Sequence, residues 1–208
     1  EPWFDGLNRY ADAGGSLKDL GKKIADYGMT IESAIGFAPW IVNDDQKRNA
    51  GLEQAKREMD RLAQIGGIRM AAPPAGTARG EKIELMAMAE RYAKLLEIGE
   101  SIGVIPQIEM WGGHPVIGRV STAVSIAIEC GHPKACFLGD VYHTYKGGCA
   151  FEGLNLLSPQ ALQVFHFNDY PADPPLETIN DSHRVYPGDG IAPLDDILQG
   201  WVNIGATP

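Results

Sequence analysis

Several things are scarce in this 208-residue chain. It has three cysteines, Cys130, Cys136 and Cys149, and no C-x-x-C pair. That excludes a disulfide framework and a thiolate zinc knuckle, makes a reducing cytoplasm the expected home, and leaves the thiols to read as core or loop residues. No apolar run approaches the roughly 20 residues of a membrane span, and the acidic opening residues lack the layout of a signal peptide, so a soluble protein without membrane partners is expected. Positive charge is short too: 18 Lys and Arg against 27 Asp and Glu leave a net charge of −9 with no compensating basic patch, which argues against nucleic acid as a partner. No strand candidate is followed by G-x-G-x-x-G or G-x-x-x-x-G-K-[ST], so the usual nucleotide-binding loops are missing.

What is present is alternation. With 44% hydrophobic residues the chain can bury one core, and residues 1–208 read as a single domain. Ser16 and Asp19 resemble a capping box ahead of Leu17, Leu20 and Ile24 at helical spacing, up to Gly28. Met29 to Ile35 then reads as a buried strand. A helix from Asp44 or Asp45 to Gly66, a strand from Ile68 to Ala72, a helix from about Glu81 to Gly103 and a strand from Val104 to Trp111 follow. After these come a helix from Val120 to Gly131, a strand from Ala135 to Gly139, a helix capped by Ser158-Pro159, a strand from Val164 to Asn168 and a last helix from Pro193 to Val202. Such βα alternation predicts a parallel sheet wrapped by helices.

Ionisable residues sit at successive strand ends: Glu109, Asp140 and His166, about one βα unit apart each time. Residues so placed are how a (β/α)8 barrel builds a site, which favours it over an open doubly wound sheet. Two carboxylates and an imidazole at one mouth form an oxygen-rich donor set suited to one divalent ion, Mn, Mg, Co or Zn.

The stretches IEMWG around Glu109, GDVYH around Asp140 and His143, HFND around His166 and Asp169, and RVYPGDG from Arg184 resemble the xylose isomerase-like TIM-barrel family, the sugar phosphate isomerase/epimerase group. The resemblance implies a (β/α)8 TIM barrel that is incomplete in this chain, with about strands 3–7 present, strands 1, most of 2 and 8 missing, and a fourth metal ligand beyond Pro208. It implies a metal held by Glu109, Asp140 and His166, with Glu109 also the catalytic base that removes a proton beside a metal-bound carbonyl. His143 and Arg184 are then candidates for substrate oxygens, Trp40 and Trp111 for stacking on a sugar's apolar face, and Asp169 for orienting a metal ligand. The implied activity is a sugar isomerase or epimerase acting on a small sugar or keto-cyclitol, with homo-oligomers a possible assembly. The alternatives are a dehydratase or lyase on a keto-cyclitol or 3-keto sugar, a non-catalytic barrel, and an endonuclease IV-like enzyme suggested by Asp181-Ser182-His183 but opposed by the acidic charge.

Overall fold

A computed structural model describes residues 1–206. Helices α1 (Phe4–Asp12), α2 (Leu17–Asp26) and α3 (Asp45–Gln64) precede strand β1 (Arg69–Ala72). Then α4 (Leu85–Ile102), β2 (Ile105–Glu109), α5 (Val120–Glu129), β3 (Phe137–Asp140), α6 (Val141–Lys146), β4 (Leu162–His166) and α7 (Leu194–Asn203) follow. Short 3-10 turns occupy Phe151–Leu156 and Asp181–His183.

The four strands are parallel and lie in chain order, β1-β2-β3-β4. An unreversed order means that the sheet winds one way, as in a barrel, where a doubly wound sheet would switch direction. Curvature brings the outer strands together inside the bend: Arg69 Nε on β1 donates to Gln163 Oε1 on β4 at 2.8 Å, although three strand spacings of a flat sheet would separate them by roughly 14 Å. The Pro2–Trp3 segment extends the arc, with Trp3 bridging Ile35 in parallel and Ala34 exchanging backbone hydrogen bonds with Arg69 and Ala71 of β1.

Caps explain the helix starts. Ser16 Oγ accepts the Asp19 amide at 3.2 Å and Asp44 Oδ1 the Lys47 amide at 2.7 Å, each satisfying an orphan N–H of a first turn. Gly103 closes α4 at φ 90°, a left-handed exit that side chains disfavour. No helix of the described residues is long and apolar enough to cross a membrane.

Four expectations are corrected. Met29 to Ile35 forms only an isolated bridge at Ile35 and the hydrogen bonds of Ala34 to β1, not a regular strand. Helices α1 and α6 were not anticipated. Ser158 caps a single turn, accepting the Ala161 amide at 3.3 Å, and β4 begins at Leu162 directly after it. Helix α4 starts at Leu85 because Glu81 is engaged elsewhere, its carboxylate accepting the amides of Asn43 and Ala78, both at 2.7 Å.

Proline at position 106 is accommodated because β3 begins too late to pair with it: the β2–β3 register runs only from Ile108–Phe137 to Glu109–Leu138. The fully buried Tyr92 fills the gap. Its hydroxyl lies 2.9 Å from the Pro106 carbonyl and 3.0 Å from that of Cys136, and accepts the Cys136 N–H at 3.2 Å. Tyr92→Phe leaves those buried groups unpaired and is expected to lower unfolding stability by about 1–3 kcal/mol. A urea denaturation midpoint equal to wild type would remove Tyr92 from the sheet's support.

Candidate active site

Strands β2, β3 and β4 deliver Glu109, Asp140 and His166 at their last positions, the C-terminal end where barrel sites form. Glu109 is 7% exposed; burial pushes its carboxyl up to about 7, against the pull of His166 and with a further push from Asp140. Asp140 is almost fully buried and doubly engaged. Its Oδ1 caps α6 by accepting the His143 amide at 2.8 Å, and its Oδ2 accepts Asn168 Nδ2 at 2.9 Å. Arg184 and His166 Nδ1 stand 3.6 and 3.7 Å from the same Oδ2. His166 Nε2 lies 2.9 Å from the Glu1 carboxylate. Burial opposes a charge on that imidazole, yet the Glu1 hydrogen bond and the charges of Glu1, Asp140 and Glu109 outweigh it and raise its pKa.

A cavity of about 580 Å³ opens over these groups. One wall is polar, with Glu109, His143, His166, Asp181 and Arg184; the other is formed by Trp3, Phe37, Trp111 and His114. The aromatic wall is continuous, with ring centroids 5.4 Å apart for Trp3–Phe37, 6.1 Å for Phe37–Trp111 and 5.8 Å for Trp111–His114. His143 is held from both ends, its amide on Asp140 and its Nδ1 accepting the Gly112 amide at 3.3 Å. Burial lowers its pKa, against the opposing influence of Asp140 and Asp181, so a neutral imidazole presents Nε2 toward Asp181 at 3.8 Å. Arg184 lies 5.5 Å over the Tyr142 ring and 3.2 Å from Asp181.

The structure thus gathers Glu109, His166, His143, Arg184 and Trp111 around one cavity, with Asp140 behind them. It does not gather Trp40, which is 1% exposed in the core, donates its indole N–H to the Pro73 carbonyl at 2.9 Å and packs on Tyr92. Nor does Asp169 orient a metal ligand: its carboxylate accepts backbone amides of the 188–192 loop, and Asn168, one residue earlier, is the one that touches Asp140. At the strand ends His166 Nδ1 stands 3.7 Å from Asp140 Oδ2, and Glu109 and His166 line the same cavity. Among the described residues no three His, Cys, Asp or Glu side chains are grouped to hold an ion; Asp140 is engaged by α6 and Asn168, and His166 by Glu1. Sequence reasoning missed Phe37 and Asn168 as site residues and named Asp181 only in the run that suggests an endonuclease. Asn168 had a signal, lying two residues past His166 on the same strand end, and Asp181 had one in the D-S-H run, whose His183 instead accepts the Asn180 amide at 3.1 Å in a capping turn.

A one-way parallel sheet with ionisable strand ends facing a single cavity defines a TIM-barrel protein with its site at the C-terminal ends of the strands. The chain belongs to the xylose isomerase-like TIM-barrel family, which it matches over residues 1–204. It is similar to an inosose isomerase of Bacillus licheniformis, 26% identical over 178 residues that cover 83% of this chain and 63% of that one. A second inosose isomerase, from Bacillus velezensis, is 27% identical, covering 91% of this chain and 69% of its own. The chain therefore spans about two thirds of the length of these relatives. Among solved structures it is similar to the IOLI protein with a bound zinc atom, with TM-score 0.89 and 23% identity, covering all of this chain and 76% of the other. It is also similar to a D-psicose 3-epimerase in the presence of D-fructose, with TM-score 0.76 and 17% identity, covering 99% and 70%.

Proposed function

We propose that this chain carries the catalytic centre of a divalent-metal-dependent isomerase or epimerase acting on a small polyhydroxy ketone, an inosose or a ketose. The observation that carries the reading is Glu109: a buried carboxyl at a strand end, pushed up to about 7 in the metal-free protein, facing a cavity with a polar and an aromatic wall. A group that must take a proton from carbon and return it works best with a pKa near the ambient pH. The names of the two Bacillus relatives favour an inosose, a cyclic polyol ketone whose hydrogens beside the carbonyl are acidic enough for such a base.

The donor set fits a divalent cation in kind, two carboxylates and an imidazole on consecutive strands, and Glu109, Asp140 and His166 are the residues that would hold it. When bound, such an ion polarises the carbonyl and stabilises charge developing on its oxygen. Glu109 moves the proton between carbon positions. His143, neutral and fixed at Nδ1, offers Nε2 to a substrate hydroxyl, and Arg184 offers guanidinium N–H groups to another. Trp111 and Phe37 cover the ring's apolar face and keep water from it.

Metal binding gives a direct test. Glu109 is largely protonated below pH 7, and His166 is held protonated above its ordinary range, whereas both must be deprotonated to bind an ion. Titrating Mn²⁺ or Zn²⁺ into the apo protein by calorimetry in two buffers is expected to show release of about one to two protons, with affinity falling about tenfold or more from pH 7 to pH 6. Binding without proton release, or none at millimolar metal, would overturn the assignment. Incubation of the loaded protein with inosose in D₂O is expected to exchange carbon-bound hydrogen; an unsaturated product would indicate a dehydratase or lyase instead.

A further inference from the structure

We infer that Asp169 is a positioning residue that sets the substrate-facing Arg184 through the 185–192 loop. Asp169 lies three residues past β4 and is 1% exposed. Its carboxylate bonds to backbone amides: Oδ2 accepts from Gly188 at 3.0 Å and Gly190 at 3.1 Å, and Oδ1 from Ala192 at 2.9 Å and Tyr170 at 2.8 Å. Its own backbone exchanges two hydrogen bonds with Val185, at 3.1 and 3.0 Å, as an antiparallel bridge. Val185 follows Arg184 directly, so the bridge fixes the backbone from which the guanidinium reaches Asp181 and Asp140.

Apolar burial holds this loop only at its end, where Ala192 packs on the core. Tyr186 is 83% exposed and Ile191 57%, so along 186–191 the loop is ordered by the buried carboxylate together with the Ile191 N–H bond to the Tyr170 carbonyl at 2.9 Å. The fit is close on the other side as well: a Cβ at Gly190 would sit 2.3 Å from both Asp169 Oδ1 and the Tyr170 carbonyl, too near for any side chain. The inference deepens the proposed function and rests on it only for its kinetic consequence.

Asp169→Asn tests it with little change of volume, since its amide nitrogen cannot accept from the loop N–H groups. The first readout is labelling of the full chain by phenylglyoxal, followed peptide by peptide with Arg79 as internal control. Arg184 is expected to react at least about fivefold faster in the variant once its anchor is released; an unchanged Arg184 rate overturns the inference. The second readout is KM for inosose. Asp169→Asn is expected to raise it toward the value for Arg184→Ala, and the double variant should be no worse than Arg184→Ala alone, as for two residues acting through one group. A double variant whose loss is the product of the two single losses overturns the inference. Should wild type neither bind nor convert inosose, it is the proposed function that fails, and the labelling result decides the role of Asp169. If Asp169→Asn does not fold, Gly190→Ala disturbs the same anchor from the loop side and is read by the same labelling.

Discussion

Replacing Glu109 by glutamine is expected to lower the rate of carbon-bound hydrogen exchange of inosose in D₂O by about 10³-fold while leaving the protein folded. The magnitude is that of removing a positioned general base, roughly 10² to 10⁴, and it should appear in kcat more than in KM because the proton moves in the transition state. Stability should move the other way. A carboxyl whose folded value is raised from an unfolded value near 4.5 to about 7 resists ionising in the folded state. Its cost to stability is absent below pH 4.5, grows as pH rises through that window, and is complete above 7. In metal-free buffer at pH 8, Glu109→Gln should therefore be as stable as wild type or more so, by up to about 3 kcal/mol. Urea melts at pH 4 and pH 8 separate the cases: a variant that is inactive and also destabilised at pH 8 would make Glu109 a structural residue.

That Glu109, Asp140 and His166 occupy strand ends was legible because each stands one βα unit from the next, and hydrophobic periodicity locates strands and helices of ordinary length. The caps at Ser16 and Asp44 and the exit at Gly103 were legible for the same local reason: the residue type itself supplies the missing partner or the left-handed backbone. What escaped was non-local or too short. Helix α1 has no side-chain cap at Trp3 and buries only Phe4 and Leu7, and α6 has six residues beginning on a strand's last side chain. Ser158-Pro159 carries the local signature of a helix start, but pairing of the following residues with β3 prevails. Trp40 looked like a mouth residue from its place after a strand; only the distant Pro73 and Tyr92 show that it belongs to the core.

The neighbouring pair Asn168 and Asp169 shows the limit most sharply. Only one of the two can donate to Asp140, yet it is Asp169 that the sequence reading names as the residue orienting a metal ligand. The backbone decides otherwise, because Asp169 meets an arc of amides from residues 188 to 192, about 20 positions away, while Asn168 turns toward β3. An amide suits that position: Nδ2 donates to Asp140 and Oδ1 accepts the Tyr142 amide at 2.9 Å. A carboxylate there could not donate to Asp140 and would set two negative charges against each other.

The second large effect is expected at Asp140, with the opposite sign to Glu109. Asp140→Ala removes the cap of α6, worth about 1 kcal/mol, and a charged hydrogen-bond acceptor worth roughly another 1.5–3 kcal/mol. It also leaves Asn168 Nδ2 without its partner and Arg184 and His166 without the carboxylate 3.6 and 3.7 Å away. A loss of about 3 kcal/mol in urea unfolding is expected, with the m-value unchanged. Asp140→Asn should lose about half as much. Its carbonyl can keep the His143 amide, but its NH₂ then faces the NH₂ of Asn168, and flipping Asn168 would surrender the Tyr142 amide. Asp140 is also one of the charges raising the His166 pKa, so both substitutions should lower the imidazole's titration midpoint in an NMR pH series. An Asp140→Ala variant within 1 kcal/mol of wild type, with His166 titrating unchanged, would show that the carboxylate is idle in the metal-free fold. The expected result is the reverse: of the two strand-end carboxylates, the one engaged by four neighbours stabilises the barrel, and the one that burial desolvates destabilises it while its pKa stays raised.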